Sequence, residues 1–228
     1  MSLPTVPDVK AARLSACQYT ERFADAGNPL TPAQALVEAE RCLYCHDAPC
    51  TTACPTSIDV PSFIHRIADG NVRGAAKAIL EANPLGGMCA RVCPTEELCE
   101  QACVRNTELG KPVEIGRLQR FAVDKVTAPG VTPLFTRAAP TGKHIAVVGA
   151  GPAGLQAAIA AARNGHRVTV FEQQAEPGGQ VRLAASVPNR AEFGDMIRNQ
   201  IAECERLMQP LCEAWKAIGP QVNAGRLN

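Results

Sequence analysis

The chain has 228 residues, a formal net charge of +1 and a sequence pI near 7.5. That balance excludes a strongly basic nucleic-acid binder and gives no electrostatic drive toward an acidic membrane surface. Hydrophobic residues make up 46% of the chain, enough for ordinary globular cores, and with aromatics at only 4% those cores must be mostly aliphatic.

From the N-terminus, MSLPTVPDVK lacks the apolar segment of a secretory signal, and no run of 18 apolar residues follows. A cytoplasmic location, where thiols stay reduced, is therefore expected. Thr31-Pro32-Ala33-Gln34 reads as a capping box with proline at the first helical position, opening a helix from Pro32 to about Arg41. Pro61 to Asp69 and Val72 to Ala82 read as helices separated by Gly70-Asn71, with Pro84 stopping the second. Pro94 to Val104 and Ile115 to Val126 also read as helical, and no alternating strand pattern occurs before Ala128.

Ala128 to Lys143 holds Pro129, Gly130, Pro133, Pro140 and Gly142, a density of breakers that marks a domain boundary. Beyond it the pattern becomes strand, helix, strand. His144 to Val148 is a short β-branched run, Ala153 to Asn164 an Ala-rich helix closed by Gly165, and Arg167 to Phe171 a second strand. This is the opening of a parallel α/β sheet. Ala191 to Met208 carries Phe193, Met196, Ile197, Ile201, Cys204, Leu207 and Met208 at amphipathic helical spacing. The expected fold class is mixed, with an all-α domain over 1–128 and a linker over 129–143. A partial α/β Rossmann-like domain then covers 144–210, and 211–228 is left unassigned.

Eight of the eleven cysteines lie from Cys42 to Cys103, as Cys42-x2-Cys45-x4-Cys50-x3-Cys54-Pro55 and Cys89-x3-Cys93-Pro94-x4-Cys99-x3-Cys103. In a reducing compartment such crowding indicates metal or cluster binding and not disulfides. Two iron–sulfur clusters fit best. Cys54-Pro55 and Cys93-Pro94 have the form of the fourth ligand in two-cluster ferredoxins, which crosses to the other cluster. Structural zinc competes, but only Cys42/Cys45 has the x2 pairing that favours it. Cys17, Cys204 and Cys212 are isolated and read as free or buried thiols. His46 lies inside the first run, where it could tune a cluster by hydrogen bonding. His65 reads as helix surface.

Val148-Gly149-Ala150-Gly151-Pro152-Ala153-Gly154 follows a strand and opens a helix, the required context for a dinucleotide loop. Gly149 permits the tight turn, Gly151 lets the backbone approach a pyrophosphate, and Gly154 allows close helix–strand packing. The helix N-terminus, at Pro152 and Ala153, offers free N–H groups to phosphate. Glu172, 18 residues after Gly154 at the end of the second strand, suits a carboxylate that accepts from a ribose. The loop chemistry is the same for FAD and NAD. No paired carboxylates or nucleophile–base pair suggest hydrolysis.

Arg41 to Cys45, Cys50 to Pro55, Cys89 to Pro94 and Ile115 to Arg120 together resemble the N-terminal cluster domain of the dihydropyrimidine dehydrogenase family, its small NAD-dependent bacterial subunit above all. The glutamate synthase small subunit shares the architecture and matches Ile115 to Arg120 less well. The resemblance implies an interleaved ligand set for two 4Fe–4S clusters. Cys42, Cys45, Cys50 and Cys103 hold one; Cys54, Cys93, Cys99 and the amide oxygen of Gln119 hold the other, and Cys89 is a neighbour.

Gly149 to Gly154, Glu172 and Pro177-Gly178-Gly179-Gln180 resemble the first segment of FAD-binding oxidoreductases of the glutathione-reductase kind, which implies FAD and adds Gly179 and Gln180 to its site. Gly178 to Arg190 looks more like 2,4-dienoyl-CoA reductase relatives. Arg182 and Arg190 read as solvated arginines, with phosphate or a partner as the alternative.

The resemblance implies that electrons pass from NAD(P)H through FAD and the clusters to a catalytic reductase subunit. The related flavoproteins insert a nicotinamide-binding domain and then complete the FAD domain. This chain carries neither, so a truncated or split protein and weak FAD retention are expected. A cluster-bearing electron carrier without its own catalysis is the alternative reading.

Overall fold

A computed structural model describes residue 17, residues 29–187 and residues 190–208. The chain divides into two compact units, Met1–Leu134 and Phe135–Asn228. Cys212 and the 211–228 tail lie outside the described residues.

In the first unit the described elements are all helical: α1 (Pro32–Glu40), α2 (Pro49–Thr52), α3 (Val60–Ala68), α4 (Val72–Ala82), α5 (Gly86–Val92), α6 (Val104–Leu109) and α7 (Ile115–Thr127). The capping box forms, with Gln34 N–H donating to Thr31 Oγ1 and Thr31 N–H donating to Gln34 Oε1. Asp59 and Asn71 cap α3 and α4 without the reciprocal bond, accepting from the N–H groups of Ser62 and Gly74. Such caps satisfy N–H groups that the first turn cannot. The amphipathic faces of α3, α4 and α7 meet in one largely aliphatic core built on Phe63, Ile64, Ile79, Ile115 and Leu118. Each of these fully buried side chains contributes about 1.5–3 kcal/mol. Helix α7 packs against both α4 and α5.

Pro94 to Val104 is not a helix. It is a chain of turns between α5 and α6, with hydrogen bonds that skip irregularly: Leu98 N–H to Thr95 O, Glu100 N–H also to Thr95 O, and Cys103 N–H to Glu100 O. Glu100 sends its carboxylate to the Gly116 N–H at the start of α7 (2.9 Å), so this segment is shaped by a partner outside it. The expected helix is replaced by turn hydrogen bonds that do not form a continuous ladder.

The second unit contains β1 (His144–Val148), α8 (Pro152–Arg163), β2 (Arg167–Phe171), α9 (Gln180–Ala185) and α10 (Phe193–Leu207). β1 and β2 pair in parallel, His144 opposite Arg167 through Val148 opposite Phe171. Helix α8 packs on both strands and α10 packs on α8. The core holds Leu155, Ile159, Val170, Ile197, Cys204 and Leu207. Gly165 ends α8 at φ +83°, and a Cβ there would lie 2.0 Å from the Ala139 carbonyl oxygen, so only glycine fits.

The stretch rich in proline and glycine is shared out. Arg73 donates to the Thr132 and Pro133 carbonyls in the first unit. Ala138 and Thr141 N–H groups donate to the Arg163 and Gly165 carbonyls in the second.

Candidate cluster sites and nucleotide loop

Thiols come together when the chain is bent tightly enough to point them one way. The described non-glycine residues with positive φ are Tyr44 (+51°), Ala48 (+39°) and Ser57 (+53°), and all flank or interrupt the first cysteine run. An L-residue in this region costs about 1–3 kcal/mol and persists where its surroundings impose it. The bends turn Cys42, Cys45 and Cys50 inward, and the turn before α6 brings Cys103 to meet them. The four sulfur-bearing residues line one recess of about 380 Å³, counting space open to solvent. Its remaining walls include Val60, Ile64, Val113 and Ile115, which are apolar, and Arg105, which is not.

Electrostatic coupling shows which thiols are neighbours. Burial first, then Cys103 and Cys42, push the Cys50 thiol up to about 11. Burial also raises Cys42, with Cys103 and Cys45 adding to it and Arg105 opposing. A second group forms around Cys54. Cys99 is pushed up to about 12 by burial, then by Glu100, Cys93 and Cys54. Cys93 is raised by burial and by Cys89 and Cys54.

Cys54 itself goes the other way. Burial raises it, but the Thr56 hydroxyl and the backbone at Ile58, Thr56 and Ser57 hydrogen-bond the sulfur and hold it below its ordinary range. The left-handed Ser57 helps to curl that backbone around it. A thiol must lose its proton to ligate a metal, and burial opposes that loss at Cys50 and Cys99.

Gln119 is buried on α7 at 7% exposure, and its Nε2 donates to the Gly86 carbonyl at the start of α5 (2.6 Å). Only the NH2 end of an amide can satisfy a carbonyl, so this bond sets which atom is Oε1. Cys89 also lies by the second group. Its sulfur accepts from Asn83 Nδ2 at 3.0 Å, and Cys54 adds to its raised pKa after burial, the largest cause. His46 is exposed. Among the described residues no three of His, Cys, Asp or Glu sit close enough to share one metal ion.

Sequence reasoning missed the scaffold beneath the first run. Glu38 is fully buried, and Arg41 Nη1 donates to its Oε1 at 2.5 Å. Arg41 also reaches the Pro112 and Lys111 carbonyls, while Glu38 Oε1 accepts from the Glu114 N–H. The pair thus ties the residue before Cys42 to the loop that starts α7. No composition or spacing signal marks it.

In the second unit, Gly149 takes φ +94° directly after β1. A Cβ on Gly154 would lie 1.9 Å from the Gly149 carbonyl oxygen, whereas one on Gly151 meets nothing within 4 Å. Gly151 therefore leaves space in front of α8, where the first-turn N–H groups of Ala153 and Gly154 have no intrahelical acceptor. Glu172 turns into this loop. Its Oε2 accepts from the Ala150 N–H at 2.6 Å and its Oε1 from the Gln174 N–H at 3.0 Å. Gly178 N–H donates to the Ala150 carbonyl, and Gly179, at φ +53°, abuts Gly151. Gln180, the exposed first residue of α9, follows directly. Arg182 pairs with Glu176, and the Arg190 guanidinium lies over the Phe193 ring.

Residues 19–131 match the family described as dihydropyrimidine dehydrogenase domain II, 4Fe–4S cluster. That part of the chain belongs to this family. The helical cluster domain is followed by a small Rossmann-like region, residues 147–194 of which match the NAD(P)-binding Rossmann-like domain.

The chain is 47% identical over 177 residues to the NAD-dependent dihydropyrimidine dehydrogenase subunit PreT of Escherichia coli O157:H7, covering 78% of this chain and 42% of that protein. It is 36% identical over 173 residues to the glutamate synthase [NADPH] small chain of Halomonas elongata, covering 76% of this chain and 36% of that one. A putative oxidoreductase, UacF of Escherichia coli K12, is 36% identical over 180 residues, covering 78% and 28%. The chain thus spans about two fifths or less of the length of these relatives. No helix among the described residues is long and apolar enough to cross a membrane.

Proposed function

We propose that the chain is an electron-transfer component of an NAD(P)H-dependent iron–sulfur flavoprotein oxidoreductase, of the dihydropyrimidine dehydrogenase kind. In this reading Cys42, Cys45, Cys50 and Cys103 hold one 4Fe–4S cluster. Cys54, Cys93, Cys99 and the Gln119 amide oxygen hold a second. The observation that carries it is the convergence of four thiols, from two separate runs, on one recess in a domain of the cluster family. A zinc ion would need its sulfurs within about 2.3 Å of a common centre. Each cluster, when bound, would take up and give back one electron without a proton.

The chain's own residues supply the thiolates, exclude water with Val60, Ile64, Val113 and Ile115, and fix the ligand segments through Glu38 and Arg41. Gly149, Gly151, Pro152, Ala153, Gly154, Glu172, Gly179 and Gln180 would bind a dinucleotide, which we take to be FAD, with the pyrophosphate at the N-terminus of α8. Electrons would reach the FAD from NAD(P)H and leave the clusters for a catalytic reductase subunit in the cytosol. The 36% identity to a glutamate synthase small chain supports a second reading, in which the accepting subunit belongs to that enzyme. We also propose the domain limits 1–128 and 144–210, joined by 129–143.

Anaerobic reconstitution tests the reading. About eight iron and eight sulfide per chain are expected, with dithionite-reducible visible absorbance. Stoichiometric zinc without sulfide would reject it. Mixing the loaded, dithionite-reduced protein with each candidate catalytic subunit and its substrate, and following cluster reoxidation by visible absorbance, separates the pyrimidine reading from the glutamate synthase one.

A further inference from the structure

We propose that Arg105 sets the reduction potential of the first cluster site, making it easier to reduce through a fixed positive charge on the recess wall. The inference rests on the ligand set proposed above, and Arg105 belongs to none of the ligand positions. It lines the same recess as Cys42, Cys45, Cys50 and Cys103. It stands in the first turn of α6, two residues past Cys103, and its Nε donates to the Arg41 carbonyl (2.9 Å), in the residue before Cys42. The guanidinium is therefore held from both sides of the site. Its side chain is only 20% exposed.

An arginine cannot shed its charge in a protein. Four thiolates around an iron–sulfur core leave the site net negative, and one-electron reduction adds a further negative charge. A nearby cation stabilises the reduced form more than the oxidised one, and a half-buried position weakens solvent screening. Charge and hydrogen bonding near the sulfurs are known levers on cluster potentials. The carboxylate that could cancel this charge is Glu108. Its Oε2 lies 3.7 Å from Nη1, but its side chain is 52% exposed, so water shares it and compensation is partial. The second group has different company: Cys93 and Cys99 face the Glu96 and Glu100 carboxylates. That gives the measurement an internal reference within the same molecule.

The bland alternative is that Arg105 only ties the Cys103 segment to the Cys42 segment. Charge and tether are separable. Reconstituted full-length protein is titrated with dithionite, following visible absorbance and electron paramagnetic resonance. Cys42→Ala identifies the first site's wave by its disappearance.

For Arg105→Gln, that wave should shift so that the reduction equilibrium falls about threefold to tenfold, at 59 mV per tenfold for one electron, with the second wave unmoved. Arg105→Lys, which keeps the charge, should stay near wild type. Glu108→Gln, which removes the opposing charge from an exposed position, should move the wave the other way, and it reports even if Arg105→Gln fails to load. An unmoved first wave in loaded Arg105→Gln, or no shift in Glu108→Gln, overturns the proposal. So does an equal shift in the Lys and Gln variants, because that would mark the tether and not the charge. If Cys42→Ala removes no wave, the recess is not a cluster site, and the underlying ligand reading fails whatever Arg105 does.

Discussion

Gln119 Nε2 donates to the carbonyl oxygen of Gly86 at 2.6 Å, joining the buried face of α7 to the first residue of α5. The bond serves packing and orientation together, because it adds a cross-helix donor to a buried carbonyl and leaves Oε1 as the other end of the amide. Gln119→Leu removes both. Losing this buried hydrogen bond should cost about 0.5–1.5 kcal/mol of unfolding free energy. If Oε1 is the fourth ligand of the second site, iron per reconstituted chain should also fall by about half. A variant that loses stability but keeps full iron would show Gln119 to be a packing residue only.

Cys89 and Cys93 stand one helical turn apart at the end of α5, both near Cys54, so position alone does not separate ligand from neighbour. The ligand set implied by the family resemblance does: it places Cys93 among the ligands and Cys89 beside them, where its sulfur accepts from Asn83 Nδ2 at 3.0 Å. Cys89→Ala should therefore keep both clusters, and Cys93→Ala should lose one. Iron and sulfide assays on the two purified variants decide this, and equal loss in both would make Cys89 a ligand.

What the sequence made legible was local. Thr31 and Gln34 announce their helix because both halves of the capping box lie within four residues. The His144–Val148 and Arg167–Phe171 strands flank a glycine motif whose spacing is fixed by phosphate geometry. The cysteine runs show themselves by density. What remained hidden depends on partners far along the chain. The turns from Pro94 to Val104 answer to Gly116, and α2, α5 and α6 are too short to carry a periodic pattern. The Arg41 guanidinium finds the Lys111 and Pro112 carbonyls some 70 residues on, and Arg105 reaches back to Arg41. Tyr44, Ala48 and Ser57 belong to residue types that do not advertise positive φ, so the bends that aim the thiols were invisible.

The buried Glu38–Arg41 pair should behave as a structural clamp. Glu38 Oε2 and Arg41 Nε have no hydrogen-bond partner, so part of the desolvation cost is already uncompensated. Removing one partner leaves an unpaired buried charge, which costs about 3–5 kcal/mol. Glu38→Ala should lower the denaturant midpoint of the helical unit by a corresponding amount and slow cluster loading, while unfolding of the Rossmann-like unit is unchanged. A loss under about 1 kcal/mol would mean that water reaches Arg41 and the clamp is dispensable.

Gly151 and Gly154 separate binding from folding within one loop. A methyl group on Gly154 would overlap the Gly149 carbonyl oxygen, and that atom belongs to a backbone already pinned by the Gly149 N–H bond to Phe171 O. Nothing there can yield cheaply, so Gly154→Ala should destabilise the second unit by several kcal/mol and lose dinucleotide binding with it. A methyl on Gly151 meets no protein atom within 4 Å. In the proposed dinucleotide site this space is the one a pyrophosphate would take. Gly151→Ala should leave the thermal transition of this unit in place and weaken FAD binding by tenfold or more, about 1.4 kcal/mol or above. Calorimetry with FAD and with NADH on the two variants, alongside circular dichroism melts, reads both effects and shows which dinucleotide the loop prefers. If Gly151→Ala binds either nucleotide as tightly as the parent chain, the pyrophosphate does not lie against Gly151 and the loop assignment is wrong.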